Sequence, residues 1–275
     1  MANPVWKNEV FKTTAGSAGT APLRLKSVVH KALFCLLILS VSTIYMWTGF
    51  YAGKGIVLPT VIAVGGGIAG FYVSYAIPGM SFLTVPLFTL LEGITVGGIS
   101  SVIEIFYPGI ILNAVTLTYI AALLVLLMYS FGFPSTGNMA FKVFSLTAGS
   151  ILVFYILKLV MAVFSVHFLY FISPIGIGIC LAVAAVGSAN LIGDMDFIRT
   201  LEVENIRRRA EWTAAFGIMV TVGWVYLEVA RIVKVFKNFI SRHVRKNGQK
   251  LSGDKEDTSS TAEKDPAAGK ADSER

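Results

Sequence analysis

Five carboxylates and one lysine stand inside apolar runs of this chain: Glu92, Glu104, Asp194, Asp196, Glu228 and Lys158. An ionised side chain at the centre of a bilayer costs about 2.5–3.5 kcal/mol on insertion scales, so such residues face a cavity or a partner. Glu228 closes a pattern. Thr213, Gly217, Thr221, Trp224, Glu228 and Arg231 recur every three or four residues, which on a helix is one small and polar stripe. Phe216, Val220, Val222, Val225 and Leu227 form the other face, so the stripe is expected to look into a bundle. Asp194 and Asp196 are two apart and point to roughly opposite faces.

If one of these aspartates meets Glu228, the two carboxylates share a proton and form a pH-sensitive latch. The same oxygens would offer a weak site to a hard cation such as calcium. Glu92 and Thr221 are expected to line the route. The structural alternatives stay open: Glu228 paired with Arg231 at i, i+3, and Asp194 with Asp196 marking the water end of their helix beside Arg199.

Other chemistries lack their residues. Cys35 and Cys180 each sit in an apolar run with no CxxC or Cys/His cluster, and His30, His167 and His243 have no partner at metal-ligand spacing. No HExxH, GxSxG or P-loop pattern occurs. Neither an enzyme nor a cofactor is expected.

The elements that must hold these residues follow from composition. The chain has 275 residues, 55% of them hydrophobic and only 14% charged, against about 25% charged in an average soluble domain. So much apolar surface is tolerable only in lipid. Seven apolar runs, 28–51, 56–76, 82–103, 110–129, 141–164, 172–198 and 212–235, are long enough to cross about 30 Å of hydrocarbon as helices. The expected fold is therefore an all-α integral membrane bundle of seven spans. Breaks fall at Pro78-Gly79, at Tyr107-Pro108-Gly109 and at 133–138, and Pro174 opens the sixth helix. Gly65-Gly66-Gly67 with Gly70, and Gly93 with Gly97, are small residues at the spacing that lets helix backbones approach closely.

Three units result: a polar, flexible N-terminal arm over 1–27, the spans over 28–237, and a basic then disordered tail over 238–275. The net charge of +7 is concentrated at the chain ends and in the Arg207–Arg209 loop. That pattern suits a phospholipid surface and shows no basic module for nucleic acid. The arm, Lys142 and Arg207–Arg209 fall on one side of the bundle, which basic-residue bias assigns to the cytoplasm. An odd number of spans then leaves the basic segment around Arg242 and Arg245 on the other side.

Four motifs in order carry a resemblance. They are Leu91-Glu92-Gly93-Ile94-Thr95-Val96-Gly97, Tyr107-Pro108-Gly109-Ile110 with Asn113-Ala114, Asn190-Leu191-Ile192-Gly193-Asp194-Met195-Asp196-Phe197-Ile198, and Glu211-Trp212-Thr213-Ala214-Ala215-Phe216-Gly217 with Tyr226-Leu227-Glu228. With them the chain resembles the transmembrane Bax-inhibitor-motif family, in its bacterial YccA-like branch, from Asn3-Pro4 to about Lys237. The resemblance implies a last helix wrapped by the other six. It implies a pH-sensitive calcium leak channel of the bacterial inner membrane, gated by Asp194 and Glu228, with Asp196 as the rival sixth-helix acid. It also implies a second role, the modulation of a membrane-bound protease in membrane-protein quality control. Glu228 stands where the leak channels carry aspartate, and the second run holds no arginine to partner the pair.

Overall fold

Inside a bilayer a helix satisfies its own backbone groups, so long apolar runs fold as helices whatever their residue propensities. The computed structural model describes residues 3–7, 11, 21–106, 108, 110–132, 138–163, 174–228 and 231. Its α-helices are α1 (Leu25–Tyr51), α2 (Val57–Ala76), α3 (Ser81–Phe106), α4 (Ile110–Ser130), α5 (Met139–Val163), α6 (Pro174–Val203) and α7 (Ala210–Glu228). Among the described residues, α1 to α5 and α7 are each long and apolar enough to cross a membrane. The 30-residue α6 is about 45 Å long. It runs past the expected end of the sixth span to Val203 and carries Asp194, Asp196 and Arg199 on helical backbone. Loop residues 133–137, His167 and the tail expected over 238–275 lie outside the described residues.

In the bundle α3 packs against both α1 and α2, and α4 packs against α1, α5 and α6. The α1–α3 contact is set by glycine. A Cβ on Gly93 would overlap Ser42 and stand 2.6 Å from the Leu39 carbonyl oxygen, and one on Gly97 would stand 2.8 Å from that of Thr43. Gly98 leaves room for Thr60 of α2 in the same way. The other expected close approach is not general: Gly65 and Gly67 face open space, Gly66 meets only the Leu91 side chain, and Gly70 meets Phe88 at ordinary contact distance.

Helix α7 is buried on more than the expected stripe. Phe216, Val222 and Val225 of the supposed outer face are fully buried, whereas Trp224 of the stripe is 50% exposed. Neighbours on several sides bury α7, because α1, α3, α4 and α6 all contribute to the core it shares. By contrast α2 buries little besides Ala63 and Ser74.

The described residues of the N-terminal arm are docked rather than free. Pro4–Lys7 form a 3-10 turn with Val5 fully buried, and Trp6 packs against Phe11 and against Phe197 of α6. Farther along, Leu23 N–H donates to the Ile206 carbonyl and Arg208 N–H donates to that of Ala21, so the lead into α1 is stitched to the α6–α7 loop. Polar composition predicts a free arm. It overlooks that Val5, Trp6 and Phe11 supply enough apolar surface to dock a short segment.

Candidate functional site

Asp194 lies on the side of α6 that faces α7, and it is buried. Both carboxylate oxygens are engaged. Trp6 Nε1 donates to Oδ1 at 2.7 Å, and the Thr221 hydroxyl of α7 donates to Oδ2. Asn3 completes the cluster: its Nδ2 donates to Thr221 Oγ1 at 2.9 Å and to the Gly217 carbonyl at 2.8 Å. Gly217 is required here, since a Cβ would meet the Trp6 ring at 2.5 Å. The N-terminal segment is thus a strap across α6 and α7. Among the described residues no cationic side chain pairs with Asp194.

Beside this cluster is a cavity of about 80 Å³, lined by Asn3, Pro4, Asn190, Asp194, Thr221 and Trp224 among others. A single water needs roughly 10–15 Å³ on this measure, so several fit. The combination is a carboxylate, a hydroxyl and an amide at the edge of a pocket large enough for water within a helical bundle. Such a site can hold a proton or lend oxygens to a passing cation.

The remaining candidates are not gathered here. Glu228 is on α7, seven residues beyond Thr221 and so about 10 Å farther along the axis. Asp194 meets Thr221 and Trp6 instead of Glu228, because the register of α6 on α7 sets Asp194 at Thr221, with Gly187 of α6 meeting Val225 of α7 farther along. Asp196 faces away, as its spacing predicts. It accepts from the Tyr129 hydroxyl of α4 at 2.5 Å and lies 3.7 Å from the Lys142 ammonium of α5. Glu104 accepts the Leu112 N–H and so caps the first turn of α4. The Lys158 ammonium lies over the Phe154 ring, 5.7 Å from its centroid. Among the described residues no group of three or more His, Cys, Asp or Glu is placed to hold a metal ion.

Glu92 stands against α7 at Gly223, whose missing side chain leaves the space that Oε1 fills. Oε2 is shielded and has no hydrogen-bond partner among the described residues. Close by run other polar contacts of the interior: Tyr119 with Thr43 at 2.9 Å, Thr43 to the Gly93 carbonyl at 3.1 Å, and Ser100 to the Tyr226 hydroxyl at 3.0 Å. From Thr213 beside Ser81 to Tyr226 beside Ser100, α7 therefore carries polar contacts along most of its length.

A family model described as Bax inhibitor 1 like matches residues 3–238. The chain belongs to this family. No curated protein and no solved structure matches it. The stretch matched to the Bax inhibitor 1 like family begins at Asn3, so the strap residues fall within it, as do Asp194, Thr221, Glu92 and Glu228.

Sequence reasoning missed Asn3, Trp6 and Glu211. Glu211, which follows the Arg207–Arg209 loop directly, is fully buried at the start of α7. It accepts from the Lys31 ammonium, from Ser27 Oγ at 2.6 Å and from Arg24 N–H at 3.2 Å. A signal existed for Trp6: Val5, Trp6 and Phe11 are large apolar residues in an otherwise polar segment. Nothing in their spacing points to α6.

Proposed function

We propose that this Bax inhibitor 1 like protein is a proton-regulated cation leak, calcium being the favoured ion, with seven spans and Asp194 as its titrating group. The reading rests on one observation: a buried carboxylate, held by a hydroxyl and an indole N–H, forms part of the wall of a cavity with room for several waters between α6, α7 and the strap. Ionised Asp194 puts a negative charge on that wall and draws a cation in. Protonated, it offers no charge, and flux falls as the medium turns acid. Glu92 and Thr221 are the polar residues of the route on α7's two sides, and Glu228 is a separate carboxylate farther along α7. The family membership and the helices able to cross a bilayer support a role within the membrane.

The test is calcium flux into proteoliposomes at about pH 6 and about pH 8, comparing the protein with its Asp194→Asn variant. The expected result is a larger flux at the higher pH that the variant reduces, with the two pH values brought level. If correctly folded protein carries no calcium at either pH, the leak reading fails. The regulatory reading, a membrane protein acting on a membrane-bound protease, then takes its place.

A further inference from the structure

Where α1 enters the bundle it carries an exposed face that the leak reading does not use. Arg24, Lys26 and His30 are exposed there, and Arg208 of the α6–α7 loop stands beside them with 71% of its side chain accessible. Together with Lys31 they surround an open groove of about 650 Å³. Its floor is aromatic: Phe34, 50% exposed, and Trp212, over whose ring the Lys31 ammonium sits at 5.4 Å from the centroid.

The acids near this groove are accounted for. Glu211 is buried beneath it, pairs with Lys31 and lies 3.9 Å from Arg208 Nε. Glu202 is turned to the Leu25 N–H. Against four formal cations, Arg24, Lys26, Lys31 and Arg208, one carboxylate, Glu211, is directly engaged. The groove is therefore positive on balance.

Its position decides what fills it. Lys26, His30 and Phe34 recur every four residues and form one line along α1. Beyond Phe34 the line continues as Leu37, Val41 and Ile44, which are 62%, 59% and 56% exposed. On a membrane-crossing helix these face acyl chains. Charge thus changes to aromatic and then to aliphatic along a single helix face, the order of phosphate, glycerol and acyl chain in a phospholipid. A tryptophan at the boundary fits the same level.

We infer that the groove between Arg24, Lys26, His30 and Arg208 binds the phosphate headgroup of an anionic phospholipid whose chain lies along Phe34, Leu37 and Val41. The site clamps α1 to the start of α7 through the lipid, and it is independent of the role proposed for Asp194.

The experiment is native mass spectrometry of the full chain released from detergent micelles. The micelles are doped in turn with phosphatidylglycerol, with phosphatidylcholine of the same acyl chains, or with phosphatidylglycerol plus excess inorganic phosphate. Phosphatidylglycerol is expected to remain bound where phosphatidylcholine does not, and inorganic phosphate is expected not to displace it. Lys26→Gln combined with Arg208→Gln should weaken binding by about tenfold or more, and Lys26→Arg should retain it. Equal binding of the two lipids, or unchanged phosphatidylglycerol binding in the double variant, overturns the site. Displacement by inorganic phosphate makes it a free-anion site and also overturns the lipid assignment. Should the double variant fail to fold, Lys26→Gln alone, an exposed change, decides by the same criteria.

Discussion

The indole N–H of Trp6 donates to Asp194 at 2.7 Å although 188 positions separate the two in the chain. The bond joins the N-terminal strap to the only carboxylate that the described residues place against Thr221 of α7. Whatever displaces the strap changes the surroundings of that carboxylate, and this coupling can be measured.

Gly217→Ala sets the added methyl against the Trp6 ring. Overpacking of this kind costs roughly 1–3 kcal/mol. In a Trp6→Ala background the obstacle is gone, and alanine's helix preference makes the same change neutral or stabilising by up to about 1 kcal/mol. A double-mutant cycle by equilibrium unfolding in detergent should therefore show strong coupling between the two positions. Equal cost in both backgrounds would place the indole elsewhere.

Deleting Met1–Lys7 removes Asn3 and Pro4 from the cavity wall and both Asn3 and Trp6 from the Thr221–Asp194 cluster. Calcium flux in proteoliposomes should rise, since the cavity then opens where the strap crossed it. A truncated protein that stays folded and shows unchanged flux would remove the strap from the proposed pathway.

Glu228→Gln and Asp196→Asn serve as contrasts to Asp194→Asn. One lies about 10 Å along α7 from Thr221; the other is held by Tyr129 and Lys142 on the opposite side of α6. Both should keep the difference in flux between acid and neutral medium. Loss of that difference in Glu228→Gln would restore the two-carboxylate latch.

Glu211→Ala leaves Lys31, Ser27 and the Arg24 N–H without their common acceptor. The expected loss is about 3 kcal/mol, because removing one member of a buried pair strands the other. Adding Lys31→Met should recover a good part of it. Equilibrium unfolding of the two variants makes the comparison.

Gly93→Ala should abolish accumulation of folded protein, with the Leu39 carbonyl only 2.6 Å from the new methyl carbon, while Gly65→Ala should be silent. The yield of monodisperse protein extracted from membranes in detergent distinguishes them. These two glycines also show what a sequence carries. Gly93 and Gly65 sit in equally apolar helices with small residues at the same spacing, and only the packing partner distinguishes a helix crossing from a surface. The helix starts were readable to within a few residues, since a long apolar run in lipid folds as a helix whatever its residue propensities. Asp194 could be read as pointing away from Asp196, because two residues on a helix are about 200° apart. Its partner could not be read. The level at which α6 meets α7 depends on how both helices are pinned, and the pins are Asn3, Trp6 and Glu211, whose contacts lie across the whole length of the chain.

The stitching of the N-terminal lead to the α6–α7 loop has a consequence for biogenesis. Ala21, Leu23, Arg24 and Ser27 find their partners in Ile206, Arg208 and Glu211. Those partners are translated some 180 residues later, and at roughly 5–20 residues per second the delay is on the order of 10–40 s. During that interval the early helices are in the bilayer, while Trp6 has no Asp194 and Lys31 has no Glu211. A ribosome that stalls before α6 therefore leaves the beginning of the chain without these anchors and open to the machinery that clears unfinished membrane proteins.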